Sequence, residues 1–352
     1  RGHHVEFVTN RPPGLPETAV VDGFEVHRLQ AGRGRKHREF RLWFNLLRHV
    51  WKRRHRLDVL HSHGAYIAHA FMGPLARLAG LRSLVKASLA HDDLQGLSRP
   101  LVGTLHRLML RRIDAYVAIS QDLVQEFRDG GLEPRRIHHL PNGVDTERYS
   151  PVPPAQVPAL RAALALPPAV PVALYVGVLD QRKNILWLAE QWVRQDGFGT
   201  GAMLVAVGPQ GRDDLGGRLR AQLAALAQAH PQRFMLREHC ADVAPYYRCA
   251  SLLVLPSHKE GLPNVMLEAM ACGLPCVAAR ASGSRELVLE GQTGLVYEPD
   301  DAAGLAAAVR RCLDPQAAAW PAQARRLAEQ RYAIDLIAAR YEALYRQLLA
   351  PR

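Results

Sequence analysis

The chain has 352 residues, 48% hydrophobic and 22% charged, the composition of a globular protein long enough for two ordinary domains. It has no run of about eighteen uninterrupted apolar residues, which excludes a membrane-spanning helix within it. A formal net charge of +12 calls for an anionic partner: nucleic acid, an anionic membrane surface or a phosphate-bearing ligand.

Apolar runs and helical periodicities alternate along the first half. Strands are predicted at 5–9, 57–61, 84–88, 115–119 and 137–140, and helices at 40–53, 67–79, 101–111 and 122–129. Such alternation predicts a parallel sheet with helices on both faces. From Asn142 to Pro171 the pattern breaks into a turn dipeptide and seven prolines, read as a linker with a helical patch at 159–165. Alternation then restarts, with strands at 172–176, 203–207, 233–236, 252–255 and 275–278. The accompanying helices are predicted at 185–194, 215–229, 243–249, 263–271 and 302–312. The fold class is therefore α/β, with two Rossmann-like doubly wound domains. A last helix carries Ile334, Ile337, Ala338, Tyr341, Leu344, Tyr345 and Leu348 on one stripe.

The five cysteines, Cys240, Cys249, Cys272, Cys276 and Cys312, form no C-x-x-C pair. They read as reduced thiols of a cytoplasmic protein, neither a disulfide framework nor a zinc site. No signal peptide is visible, and residues preceding Arg1 are expected to be missing.

The segment Ser257–Glu268, SHKEGLPNVMLE, carries the most chemistry. An apolar strand runs into a loop with Glu260 and Gly261, and Pro263 is expected to open a helix. Ligands of open α/β sheets bind at the carboxyl ends of strands, where helix N-termini present free N–H groups. A diphosphate fits there, and Glu260 and Glu268 can reach two hydroxyl-rich parts of one ligand. As isolated charges, both could equally be surface groups.

The pattern E-G-L-P-x-x-x-x-E followed by AMACGLPCVA resembles the signature of glycosyltransferase family 4. RGHHVEFVTN is similar to that family's second strand, DVLHSHG to its third, and PNGVDTERYSP to its interdomain crossing. GVLDQRKN, ASGSRELVLEGQTGLVYEP and the final helix match too, so the resemblance covers nearly the whole chain. It implies the two-domain GT-B fold with a cleft between the domains, a nucleotide-sugar donor and retention of anomeric configuration. The expected division is 1–145, a linker at 146–171, a donor domain at 172–333, and a helix at 334–352 returning to the first domain.

The resemblance also assigns roles. Glu260, His91 and Lys183 are implied as catalytic. Gly177, Arg182, Lys183, Gly208, Glu260, Gly261, Leu262, Pro263 and Glu268 are implied in donor binding. Glu260 takes the sugar hydroxyls with the N–H groups of Gly261 and Leu262, Glu268 the ribose hydroxyls, and Lys183 the diphosphate with Arg182 assisting. His91 contacts the sugar or its phosphate from the first domain, while His63 reads as structural. Two departures stand out. Val178 occupies a position where the family often has arginine, and the family's first strand and Gly-rich loop are absent. With no D-x-D triplet, no metal or other cofactor is expected, and a UDP-sugar is the favoured donor.

Residues 33–56 carry Arg33, Arg35, Lys36, Arg38, Arg41, Arg48, Lys52, Arg53, Arg54 and Arg56 against the single acid Glu39. Phe40, Trp43, Phe44, Leu47, Val50 and Trp51 form an apolar stripe at helical spacing. The helix is expected to pack that stripe partly inward and turn its arginines to an anionic membrane. This points to a peripheral position on the inner face of the membrane and a glycan or lipid-linked acceptor, in surface glycan or lipopolysaccharide assembly. The alternatives are a nucleotide-sugar epimerase of the same fold and a basic nucleic-acid-binding protein. No nucleic-acid module is present, so no nucleic-acid partner is expected.

Overall fold

The computed structural model describes residues 1–30, 35–65, 67–89, 94, 100–211 and 214–351, without the side chains of 35–40, 67–68, 100–102, 214–216 and 282. Strands β1 (Glu6–Asn10), β2 (Thr18–Val21) and β3 (Phe24–Leu29) form a small sheet in the order β1-β3-β2. In it β1 runs parallel to β3, and β2 antiparallel. Strands β4 (Val59–His63), β5 (Arg82–Ala87), β6 (Ala115–Ala118) and β7 (Ile137–His139) form a second, all-parallel sheet in sequence order. The single parallel sheet expected of the first half is thus two sheets. β1 pairs only with β3 and β4 only with β5, and no strand among the described residues bridges them.

The second half is one six-stranded sheet. Its strands are β8 (Val172–Val176), β9 (Met203–Val207), β10 (Phe234–Arg237), β11 (Leu252–Leu255), β12 (Cys276–Ala279) and β13 (Gly294–Tyr297). All pairings are parallel, in the order β10-β9-β8-β11-β12-β13. Helices cover both faces, so the central strands have no polar side; MLVAV in β9 and LLVL in β11 are buried at every residue. The order reverses between β8 and β11, which makes that junction the crevice of the sheet.

Two chain crossings join the halves, and they pair with each other. The Val144 N–H donates to the Tyr332 carbonyl, and the Ile334 N–H to the Val144 carbonyl, each at 2.8 Å. The helix Ile334–Leu349 then packs Leu344, Tyr341, Tyr345 and Leu348 on Leu84, Ala115, Val117 and Leu140 of the first half. The proline-rich segment holds a helix at Val157–Ala163, where Arg161 donates to the Cys249 and Val170 carbonyls.

Local departures have local causes. The helix expected at 67–79 is two helices, Ile67–Ala70 and Met72–Ala79. Pro74 lacks an N–H and its ring clashes with the carbonyl four residues back, at Ala70, where the first helix stops. The basic helix runs Arg35–Arg53, and its apolar stripe divides rather than facing one way. Val50 is 2% exposed and Trp43 packs against the core. Phe44 (57%), Leu47 (43%) and Trp51 (47%) look outward.

Candidate functional site

The crevice between β8 and β11 gathers the cationic and acidic residues of the two motifs. The chain leaving β8 makes one tight turn, Gln181–Lys183, capped by Asp180, whose Oδ1 accepts the Lys183 N–H at 2.9 Å. This cap turns Lys183 across the crevice, where its Nζ donates to Glu260 Oε1 at 2.6 Å. Arg182 Nη1 donates to the Lys259 carbonyl at 2.8 Å and stands 3.8 Å from Glu260 Oε2. Glu260 is only 6% exposed, so burial and two cations fix the direction of its carboxylate. A ligand carrying a diphosphate beside hydroxyl groups could exchange partners with this trio.

Backbone here approaches backbone. A Cβ on Gly208, just beyond β9, would stand 1.8 Å from the Gly177 carbonyl oxygen. One on Gly261 would stand 1.9 Å from the Ser88 carbonyl oxygen, which belongs to the first half. Only glycine permits either contact, and the second closes one wall on the other.

The helix after Glu260 spans Asn264–Ala271, and Pro263 is its N-cap (φ −72°, ψ 115°) instead of its first helical residue as expected. A bend at Leu262 and extended backbone at Pro263 carry the chain out of the loop before the helix begins. Among the described residues no side chain caps that N-terminus, which leaves its first N–H groups for a ligand. One turn further, Glu268 Oε2 accepts from the Tyr247 hydroxyl at 2.8 Å. Burial pushes the Glu268 carboxyl above its ordinary value, against the lowering effect of the Tyr247 hydrogen bond and Arg148. The hydroxyls of Ser257 and Ser284, both 1% exposed, find no hydrogen-bond partner among the described residues.

Two residues overlooked in the sequence form the opposite wall. Asn142 Nδ2 donates to the Leu262 carbonyl at 3.1 Å and to Asn264 Oδ1 at 2.9 Å, and its Oδ1 accepts from Lys86 Nζ at 3.0 Å. Lys86 is a lysine inside the apolar strand β5, and burial lowers its pKa. A cation in a buried strand is a legible signal, whereas Asn142 reads as a turn residue until its partners are seen. Behind Lys86, His61 stacks on His63 with ring centres 4.7 Å apart and shares a 2.7 Å hydrogen bond with the Tyr345 hydroxyl. Burial pulls the His61 pKa down to about 3, so its ring is neutral. His91 lies outside the described residues. Further along the same contact, Glu286 accepts the Gln121 N–H, and Arg285 pairs with Asp122 at 3.3 Å.

The two halves and this crevice define a GT-B glycosyltransferase architecture. Residues 1–143 match the glycosyl transferase 4-like domain, and residues 170–315 match glycosyl transferases group 1. The chain belongs to the glycosyltransferase 4-type family. It is 33% identical over 273 residues to a D-inositol 3-phosphate glycosyltransferase of Acidothermus cellulolyticus, covering 73% of this chain and 60% of that protein. It is 31% identical over 267 residues to a GDP-mannose-dependent alpha-(1-6)-phosphatidylinositol monomannoside mannosyltransferase of Mycolicibacterium smegmatis, covering 73% and 68%. Its fold is similar to that of sucrose-phosphate synthase from Thermosynechococcus elongatus, with a TM-score of 0.80, 25% identity, and coverage of 99% and 89%.

Proposed function

We propose that this chain transfers a hexosyl group from a nucleotide diphosphate sugar to a glycan or lipid-linked acceptor, with retention and without a metal at the diphosphate. The observation that carries the reading is the Lys183–Glu260 pair at the strand-order reversal, with Arg182 beside it. Lys183 and Arg182 take the diphosphate, and Glu260 exchanges Lys183 for the sugar hydroxyls. As the bond from the sugar to the phosphate oxygen breaks, its electron pair passes to the diphosphate, and the two cations stabilise that charge. Glu268 accepts the ribose hydroxyls. The N–H groups of Gly261 and Leu262 and the first turn at Asn264 complete the donor seat. Lys86 and Asn142 hold the other wall against it.

A donor screen that reads nucleotide diphosphate release and acceptor modification tests this, with UDP-glucose and GDP-mannose as the first two arms. Hydrolysis or transfer that is unchanged in Glu260→Gln would overturn it.

The acceptor reading rests on the helix Arg35–Arg53. Its outward residues Phe44, Leu47 and Trp51 stand beside exposed Arg41, Arg48, Lys52 and Arg56. An apolar ridge flanked by cations suits the interface of an anionic bilayer, where a lipid-linked acceptor is presented. Among the described residues no helix is long and apolar enough to cross a membrane, so the association proposed is peripheral.

A further inference from the structure

The small sheet β1-β3-β2 meets the basic helix Arg35–Arg53 through polar side chains. Among the described residues, no apolar side chain from Arg1 to Gln30 is fully buried, whereas the side chains of Glu6 and His27 are 4% and 6% exposed. Val8 (38%), Phe7 (48%) and Val20 (74%) lie open instead.

Three polar atoms converge between the sheet and that helix. Glu6 of β1, His27 of β3 and His49 of the helix Arg35–Arg53 bring one carboxylate oxygen and two ring nitrogens within 4.8 Å of one another. Glu6 Oε2 is 3.6 Å from His27 Nε2 and 3.9 Å from His49 Nε2. The three side chains are 4%, 6% and 12% exposed. None of these three atoms has a hydrogen-bond partner among the described residues. His27 Nε2 lies 3.1 Å from Glu25 Oε1, without forming a hydrogen bond to it.

An ordinary Glu–His network does not account for this. A ring N–H donating to a carboxylate would sit at about 2.7–3.2 Å and in line. Leaving three buried polar atoms unpaired is costly, and one explanation for such a group is an ion. Glu6 Oε1 is already engaged, accepting from Arg53 Nη1 at 3.2 Å and lying 3.1 Å from His4 Nε2. That leaves Oε2 turned toward the two rings. Arg53 opposes a metal here, but its Nη1 donates to the other Glu6 oxygen and its Nη2 lies 3.7 Å from Glu25 Oε1, so it orients the carboxylates as outer partners of metal ligands do.

We propose that Glu6, His27 and His49 form a structural site for a divalent first-row transition metal, with Zn²⁺ the best match. Two imidazole nitrogens and one carboxylate oxygen are a recurrent zinc donor set, with water or Glu25 for the fourth position. A zinc tetrahedron with bonds of about 2.0–2.1 Å places ligand atoms roughly 3.3 Å apart, so modest side-chain rotation closes the present spacing. The environment suits a neutral His49 ring and an ionised carboxylate: burial, then the neighbouring His27 and Arg53, lower the His49 pKa, and the Glu6 pKa is lowered despite burial, by His4 and Arg53. The metal would pin both strands to the basic helix. It stands apart from the donor crevice, and the proposal does not depend on the transfer reaction.

The test uses the full chain, free of any polyhistidine tag and stripped of metal, titrated with Zn²⁺ against a chromogenic chelator and with Co²⁺ by visible absorption. One Zn²⁺ should bind per chain, Co²⁺ should give four-coordinate bands, and the melting transition should rise with free Zn²⁺. His49→Asn, at the least buried of the three positions, should weaken Zn²⁺ binding by at least about 10-fold. Glu6→Gln should do the same, while a His3→Asn/His4→Asn variant should bind like the parent. The proposal is overturned if the parent binds no Zn²⁺, if His49→Asn binds it as tightly as the parent, or if only the His3/His4 variant loses it.

Discussion

Lys183 and Glu260 hold each other at 2.6 Å across the crevice, so each is the other's partner until a donor arrives. On the function proposed above, a donor would separate them, offering its diphosphate to the lysine and its hydroxyls to the glutamate. The pair therefore fixes both side chains before binding and makes their roles experimentally separable.

Glu260→Gln retains the size of the side chain but loses its charge and half of its acceptor capacity. Turnover should fall by on the order of 10²-fold or more, as when a preorganised polar contact at the reacting group is lost. Affinity for the bare nucleotide diphosphate should be unchanged or tighter, because Lys183 loses its competing carboxylate. Steady-state kinetics with calorimetry reads both, and a parallel loss of nucleotide binding would contradict the assignment.

Glu268→Ala should weaken nucleotide diphosphate binding by about 1.5–3 kcal/mol for each charge-assisted hydrogen bond removed. The pH dependence has a defined sign. Burial raises the Glu268 pKa above the ordinary 4.5, so nucleotide affinity is full above the raised value and falls as pH drops through it, sooner than for an exposed glutamate. Its effect on folding runs the other way: stability from this group is present below the ordinary value and lost as pH rises through the folded value. Calorimetry at a series of pH values should show the slope in the parent and not in Glu268→Ala.

Gly261→Ala should leave each half folded and nucleotide binding within a few-fold of the parent, because the added methyl meets the Ser88 carbonyl and the Ile119 side chain of the first half, across the crevice. Turnover should drop by on the order of 10²-fold, the effect of displacing reacting groups by about 1 Å. Small-angle scattering should report a more open particle. Unaltered turnover would show that contact to be dispensable.

Changing Arg48, Lys52, Arg54 and Arg56 to glutamine should release the protein from anionic vesicles, each charge contributing about 1 kcal/mol. Phe44→Ser with Trp51→Ser should weaken the same binding through the apolar ridge. Sedimentation at physiological salt decides it: a parent chain that ignores phosphatidylserine vesicles rules membrane docking out.

Chelation separates two expectations. Below the melting transition, turnover should persist in a strong chelator, because Lys183, Arg182 and the helix at Asn264 receive the diphosphate. The melting transition itself should fall if Glu6, His27 and His49 hold an ion. Turnover abolished by chelation and restored by Mg²⁺ would refute the metal-free transfer.

The second half was the more legible in sequence. Continuous runs such as LLVL and MLVAV, short and set between helical periodicities, read as strands buried on both faces, and the loops after parallel strands then share one edge of the sheet. The first half hid more. The turn joining β2 to β3 is Asp22-Gly23, both at positive φ, a strong hairpin signal that strand counting by apolar runs passed over. The separation of β1 from β4 depends on pairing between distant segments, which no local periodicity encodes. Asn142 and Lys86 matter because two halves meet, and Glu6, His27 and His49 come from three elements with no motif spacing. Such constellations are set by tertiary approach alone.

The paired crossings at Val144 and Ala333 bear on how the two halves can move. Two strands of backbone, tied at 2.8 Å in both directions, form a ribbon rather than two independent tethers. A ribbon resists shear and stretching yet twists readily about its length. Relative motion of the halves is thereby reduced toward a single rotational degree of freedom, with the ribbon as its axle. A rotation about such an axle would carry the Gly261 loop to and from Ser88 along one arc, so the registry of the two walls is written in the hinge as well as in the crevice.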